Sequence, residues 1–402
     1  MELPPIAAVE VGTTHIRVMI GEIREDDNLQ IIGVGECPSR GMRKGEIIDM
    51  DAALSGLKVA LQQAEESADA VIKRVFLPVT GGHVQSLVNR GSIPIVGHDR
   101  EILPEHIENA QDIAKAVNLA TDRSIIHSIC QHYFLDDQNG VINPLGMEAS
   151  KLSVNMLIVH GSNTRMRNMI KLVKSVPLDV DDTPLAGLCS GLAVLSPEEK
   201  ESGALVVDIG GGTIDYLGYA DGMIAVAGSL AIGGDHFTND ISRGLGLSFS
   251  QSERIKEEYG SAIVNLGDRT KKLELPSDAR QDSRVVRLGD LQTITSLRAE
   301  EMLNMVRSFV DKGDLLHRFG AGVVLTGGGA KMARMDDLAE KVFGLASRVG
   351  RSREVSGLTT VANQPEYATV IGLLRYAARQ ARRNEGPGGI AGLLRRFILG
   401  GE

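Results

Sequence analysis

One turn chemistry occurs twice in this chain, and it restricts the fold more than any other feature. Residues 6–20 (IAAVEVGTTHIRVMI) read as strand, tight turn, strand, and residues 204–218 (ALVVDIGGGTIDYLG) read the same way. Each turn sets an acid, Glu10 or Asp208, two residues ahead of a glycine, with threonine close behind. One such turn is an ordinary glycine hairpin. Two of them, each between β-branched runs and each opening one half of the chain, predict a duplicated α/β fold with a ligand held between the halves.

The residue types name the ligand chemistry. Gly12, Gly210, Gly211 and Gly212 are expected to take positive φ and let the backbone approach a ligand. Successive backbone N–H groups in such turns form concave anion sites. The hydroxyls of Thr13, Thr14 and Thr213 can add hydrogen bonds to phosphate oxygens. A carboxylate beside a polyphosphate repels it unless Mg²⁺ and its waters lie between them. Glu10 and Asp208 are therefore the Mg²⁺ candidates. A third cluster, Gly327, Gly328 and Gly329, follows the apolar run 322–326 and precedes the helical spacing of 336–343. A flat glycine turn there could lie against an adenine or ribose face.

These residues resemble the actin, heat-shock chaperone and sugar kinase ATPase superfamily, and within it the FtsA family of bacterial actin-like cell-division proteins. Supporting stretches are GEIIDMD at 45–51, NRG at 89–91, DQNG at 137–140, PLGM at 144–147, GGDHFTNDI at 233–241, ERIKEEYG at 253–260 and PEYATVIG at 365–372. The resemblance runs from about Ile6 to Ala378 and then to the tail. It implies an actin-like ATPase fold of two duplicated halves around a nucleotide cleft. Residues 1–82 and 162–202 would form the first half (1A), and 203–236 with 311–383 the second (2A). Residues 83–161 would be an inserted 1C-type subdomain, and 237–310 subdomain 2B.

The resemblance also implies ATP and Mg²⁺ as cofactors, with Gly233, Gly234, Glu253 and Lys256 joining the nucleotide site. Glu253 has a competing local reading, because Ser250 three residues earlier would make a capping box. Arg298 and Glu301 fall where the family receives the C-terminal tail of the tubulin-like FtsZ. A solvated ion pair one turn apart explains them equally. Three positions depart from the family pattern. Ala186 stands where relatives carry a water-positioning Glu, which argues for weak or absent hydrolysis. Glu10 replaces the usual Asp, and His15 a frequent Lys.

Local signals fill in the rest. Residues 51–70 have helical spacing, with Asp51 as N-cap. Within 83–161, strands are expected at 84–88, 92–96, 125–133 and 151–159, and a helix at 104–117. The six histidines from His83 to His160 lack metal-ligand spacing and read as surface or hydrogen-bonded core residues. Helices are expected at 165–176, 185–195, 248–259 and 293–311, the last placing Leu297, Met302, Met305, Val306 and Phe309 on its apolar side.

The tail carries a second signal. NEGPGG at 384–389 breaks the preceding helix and reads as a flexible linker. In 390–402, Ile390, Leu393, Leu394, Phe397 and Ile398 form one helical stripe, with Arg395 and Arg396 off it. Such a segment is too short to span a bilayer but suits its interface, the arginines facing anionic headgroups. A terminal helix docked on the protein's own core or on a neighbour is the alternative, and the flexible tether argues against permanent docking. The net charge of −9 argues against a nucleic-acid surface. Cys37, Cys130 and Cys189 show no metal pattern and fit a reducing compartment. There is neither a signal peptide nor an apolar run of spanning length.

Together these features predict a peripheral protein of the inner membrane face at the division septum. It would bind ATP, form filaments with itself, hold FtsZ, and meet other division proteins through the 1C-type module. A pilus-assembly actin homologue of the PilM type is the alternative, with a small-molecule kinase of the same fold behind it.

Overall fold

The computed structural model describes residues 5–24, 28–97, 99–275 and 284–385. The tail at 390–402, with Ile390, Leu393, Leu394, Arg395, Arg396, Phe397 and Ile398, lies outside the described residues, as does linker segment 386–389. The helix Ala368–Glu385 continues past Arg383, where a break is expected from the sequence.

The duplication is visible in the strand order. In the first half, Ile6–Val11, His15–Ile23 and Leu29–Pro38 form an antiparallel meander. The outer side of Ile6–Val11 pairs in parallel with Arg74–Phe76, which pairs with Asp179–Asp182. The second half repeats this order: Ala204–Ile209, Ile214–Ala220 and Met223–Leu230 form the meander, followed on the outer side by Val323–Thr326 and Ser347–Val349. The first sheet adds Val355–Gly357 at its far edge. Ala204–Ile209 and Ile214–Ala220 are buried along their whole length, as near-continuous apolar runs in a covered sheet must be.

Two helices lie between these sheets. Ala186–Val194 is buried at every position, and Ala368–Glu385 packs along it. Their contact is close: a Cβ at Gly372 would stand 1.7 Å from the Cys189 carbonyl oxygen. Apolar side chains from both halves, including Met19, Leu188, Val206, Leu217, Ile371 and Leu374, share this central core.

The helix Met50–Ala68 covers the other face of the first sheet through Leu57, Ala60, Leu61 and Ala64. Its N-cap is Asp49 and not Asp51. Asp49 has extended backbone, and its carboxylate accepts from the N–H groups of Asp51 and Ala52, both at 3.1 Å. Asp51 instead lies in the first turn, where its charge favours the positive end of the helix dipole.

Residues 85–162 form a separate four-stranded sheet, ordered Gln85–Pro94, Lys151–Ser162, Arg123–Leu135, Gln138–Val141, with the helix Pro104–Lys115 on one face. The two short strands expected at 84–88 and 92–96 are one continuous strand, Gln85–Pro94, paired over its length with Lys151–Ser162. The module also touches the second half. Ser86 Oγ donates to the Ala227 carbonyl (2.5 Å), and Gln131 Nε2 to the Ile224 carbonyl (3.0 Å), both on the strand Met223–Leu230. An insertion in one half is thus fastened to the other. Several of its histidines accept backbone bonds: Leu185 N–H donates to His127 Nε2 (3.0 Å) and Ser162 N–H to His83 Nδ1 (3.2 Å). Burial pushes both imidazoles down to about 4, so both are neutral acceptors at pH 7.

The helices Gly234–Leu245, Phe249–Tyr259 and Leu288–Asp311 belong to the fourth region. Leu288–Asp311 starts five residues before the expected 293, and its apolar side holds Met302, Val306 and Val310. Leu297 is 63% exposed and Phe309 39%, so neither is a core residue there. Phe309 stacks on Tyr216 instead.

Candidate functional site

The two glycine turns meet across a cavity of about 550 Å³, a size suited to a small-molecule ligand. Each turn closes with the same bond: Gly12 N–H donates to the His15 carbonyl (3.0 Å), and Gly210 N–H to the Thr213 carbonyl (2.9 Å). None of Gly12, Gly210, Gly211 or Gly212 has the positive φ expected of them. They are glycine because of crowding. A Cβ at Gly211 would stand 2.4 Å from Thr14 Cγ2, and one at Gly212 2.3 Å from Thr13 Oγ1. The turns lie face to face, the threonine side chains of the first packed on the glycines of the second.

Gly327 does require its conformation. Its φ is +79°, and it brings the third glycine turn against Asp208, whose Oδ1 would be 2.3 Å from an added Cβ. Gly328 is open, with the nearest atom 4.0 Å from its imagined Cβ, so it presents a flat wall to the cavity. Gly329 packs on Ile209. Gly234 lines the cavity, and its N–H donates to the Gly210 carbonyl (2.8 Å). Gly233 is the one expected nucleotide residue that does not line it; it packs behind the second turn, against Gly210 and Gly211.

Glu253 and Lys256 also line the cavity. The cap of their helix is Ser248, which accepts from Gln251 N–H, and not Ser250. Glu253 is therefore free of any capping role. It accepts from Thr238 Oγ1 and pairs with Lys256 Nζ at 2.6 Å. The pair places an acceptor and a cation at the cavity wall opposite the first turn's half.

The buried charges come from cross-strand pairs. Glu10 stands opposite Arg17 in the first hairpin, and Asp208 opposite Asp215 in the second. Arg17 lies 3.7 Å from Glu10 and donates to Glu36 at 2.8 Å, with Tyr367 donating to the other Glu36 oxygen at 2.8 Å. Glu10 Oε2 is buried and accepts no hydrogen bond. Burial, opposed by Arg17 and reinforced by Asp208, lifts the Glu10 carboxyl to about 7. Asp208 Oδ2 accepts from Ser190 (2.5 Å) and Thr369 (2.7 Å), and burial raises its pKa in spite of them. Asp215 is raised by burial to about 7, and both its oxygens accept from Thr80 Oγ1, at 2.8 and 2.6 Å.

Three mutually repelling buried carboxylates, one with an unpartnered oxygen, fit a cation placed among them. No set of three His, Cys, Asp or Glu converges on a direct metal cage among the described residues.

Arg17, Thr80, Asp215 and Thr369 also line the cavity and are not among the residues expected from the sequence. The hairpin register was the available signal for Arg17 and Asp215, since a tight turn fixes which residue faces each acid. Ala186 begins the helix Ala186–Val194 at the cavity wall and offers no polar side chain. Burial and the nearby Arg17 lower the pKa of His15, so it brings no positive charge at neutral pH. Arg298 and Glu301 lie apart from the cavity. Arg298 donates to Asp240 at 2.5 Å and pairs with Glu301, a partly exposed ionic cluster.

A family model described as "Cell division protein FtsA" matches residues 205–372, and one described as "SHS2 domain inserted in FTSA" matches 81–160. The chain is 34% identical to the cell division protein FtsA of Neisseria meningitidis over 98% of its own length and 97% of that protein. It is 33% identical to the Escherichia coli K12 protein of that description over 92% of this chain and 90% of the other. Among solved structures, a PilM-PilN type IV pilus biogenesis complex superposes with a TM-score of 0.64 at 14% identity, covering 94% of this chain and 98% of that one. MreB5 of Spiroplasma citri bound to ADP gives 0.52 at 14% identity, covering 95% and 98%. The fold is the actin-like one, two duplicated halves around a cleft, with an inserted domain in the first.

Proposed function

Because this chain belongs to the FtsA family of cell-division proteins, we propose that it binds ATP with Mg²⁺ in the cleft and works as a membrane-attached, self-associating tether for FtsZ. The observation that carries the nucleotide reading is the pair of matched glycine turns facing each other across one cavity, with a third glycine turn beside them. The backbone N–H groups of residues 13–14 and 211–213 would receive the phosphates, and Gly328 with Lys256 and Glu253 the nucleoside. Mg²⁺, held through water by Glu10 and Asp208, would screen the phosphate charge from these carboxylates.

The chain's own residues define what the nucleotide does. Ala186 cannot orient water, and of the two carboxyls raised to about 7, Asp215 is engaged by the Thr80 hydroxyl and Glu10 is assigned to the cation. Nucleotide is accordingly a conformational ligand first, stabilising one angle between the halves, with slow or no turnover. Residues 390–399 would lie in the membrane interface on the cytoplasmic face, at the septum. Arg298 and Glu301 would receive the FtsZ tail by exchanging their mutual pairing for the peptide's charges. The inserted module would meet other division proteins. Family membership sets aside the pilus-assembly and kinase readings.

Lys256→Ala tests the site without touching its buried carboxylates. It should weaken ATP binding about tenfold, the worth of one charge-assisted contact, with the thermal midpoint unchanged. Unaltered ATP affinity would remove Lys256 from the site and weaken the cleft assignment.

A further inference from the structure

A second cluster lies at the far end of the two central helices, away from the cavity. The helix Ala186–Val194 starts at the cavity and ends among arginines. Arg375 Nη1 donates to the Leu192 carbonyl (3.0 Å), the Arg353 N–H to the Ala193 carbonyl (3.2 Å), and Arg348 Nη2 to the Val194 carbonyl (3.1 Å). The last carbonyls of a helix lack partners within it and form the negative end of its dipole. This explains why these residues gather.

Capping does not use all of their charge. Arg375 Nη2 is buried with no hydrogen-bond partner, as is Ser352 Oγ next to Arg353. Arg351, Arg353 and Arg379 are exposed. Lys200, on the helix Pro197–Ser202, joins the cluster; burial, then Arg379 and Arg375, lower its pKa to about 8. The acids facing the cluster are Glu199, which pairs with Arg348 at 2.6 Å and lies 4.0 Å from Arg353, then Glu354 and the exposed Glu198. Cations exceed acids here, in a chain whose net charge is −9.

The position gives this charge a use. Arg375 and Arg379 lie on the helix Ala368–Glu385, from whose end the tail segment continues. Six residues of helix separate Arg379 from Glu385, about 9 Å at the helical rise, so the arginine face and the start of the tail share one end of the molecule. A single short amphipathic helix holds a membrane only weakly, and stable attachment takes a second signal.

We propose that the exposed Arg353 and Arg379, with the buried charge of Arg375 and the half-buried Lys200 behind them, form a docking face for the phosphate groups of an anionic lipid surface. The proposal rests on the tethering reading of residues 390–399 and adds to it. The tail supplies apolar insertion, and the arginine face supplies electrostatic attraction and fixes which end of the body meets the bilayer. The nucleotide cleft and the lipid face then lie at opposite ends of one tightly packed helix pair.

The test is binding of the full chain to vesicles of phosphatidylcholine alone and of phosphatidylcholine mixed with phosphatidylglycerol. The double variant Arg353→Ala/Arg379→Ala should bind mixed vesicles about tenfold more weakly, with a shallower salt dependence and unchanged binding to neutral vesicles. Arg353→Lys/Arg379→Lys should bind like the parent, which separates charge from any capping or folding effect. Equal binding of parent and alanine variant to mixed vesicles would overturn the proposal. If Phe397→Glu still abolished attachment, the tail reading would stand alone. A parent chain that binds neither vesicle overturns both readings. Saturable binding of inorganic phosphate that the alanine variant loses, with vesicle binding intact, would reassign the face to a free anion and overturn the lipid assignment.

Discussion

Glu10 is the residue on which the proposed cation binding in the cleft turns. Its carboxyl is buried, opposite Arg17 yet too far for a hydrogen bond, and held at about 7. A raised carboxyl favours the protonated folded state, so its contribution to stability is present below about 4.5 and is lost as pH rises through about 7. A cation must displace that proton, so Mg·ATP affinity should rise between about pH 6 and about pH 8. Glu10→Gln should flatten this rise in a calorimetric titration while making the ligand-free protein more stable at the alkaline end. A pH profile identical to the parent's would exclude Glu10 from cation binding. At this scale the sequence was legible where residue type alone decides, as for the acids and threonines of the turns. Partners brought from far along the chain were not. Thr80, Ser190 and Thr369 reach Asp215 or Asp208 only through tertiary packing, and hydroxyls so common carry no signal in a single sequence.

Elements were legible where periodicity is strong, and their ends were not. The helix Met50–Ala68 was expected at nearly its observed place, but Asp49 and Asp51 both look like caps, and only backbone geometry chooses between them. The helix Leu288–Asp311 begins five residues before the expected 293, and Leu297 was misplaced because helical spacing does not tell which face a neighbour covers. The contact between Ala186–Val194 and Ala368–Glu385 is the element-level feature that most constrains the molecule. With Gly372 pressed on the Cys189 carbonyl, a single methyl must push the helices apart. Gly372→Ala should cost about 1–3 kcal/mol, in the range of overpacked cores, and should lower ATP affinity as well, because Thr369 and Ala186 move with these helices. A thermal midpoint within a degree or so of the parent's would show that the contact yields without strain.

For the whole molecule, the duplication was readable from the repeated turn, and the five-strand order of the second sheet recurs in the first, which adds Val355–Gly357 at its edge. What the sequence did not disclose is how the inserted module bridges the halves. Ser86 and Gln131 bond to the strand Met223–Leu230, and Thr80, at the base of the module, bonds to Asp215 in the cleft. Changes in the angle between the halves therefore reach the module through direct hydrogen bonds. The tail is the converse case: its amphipathic stripe is plain in the sequence and lies outside the described residues. Co-sedimentation with anionic vesicles tests most directly the proposed coupling of nucleotide in the cleft to membrane attachment through that tail. The full chain and a chain ending at Glu385 would be compared with and without Mg·ATP. The account predicts that only the full chain pellets and that Mg·ATP increases the pelleted fraction cooperatively, as avidity in a filament requires. If the shortened chain pellets as well as the full one, or if neither does, the membrane-tether account is contradicted.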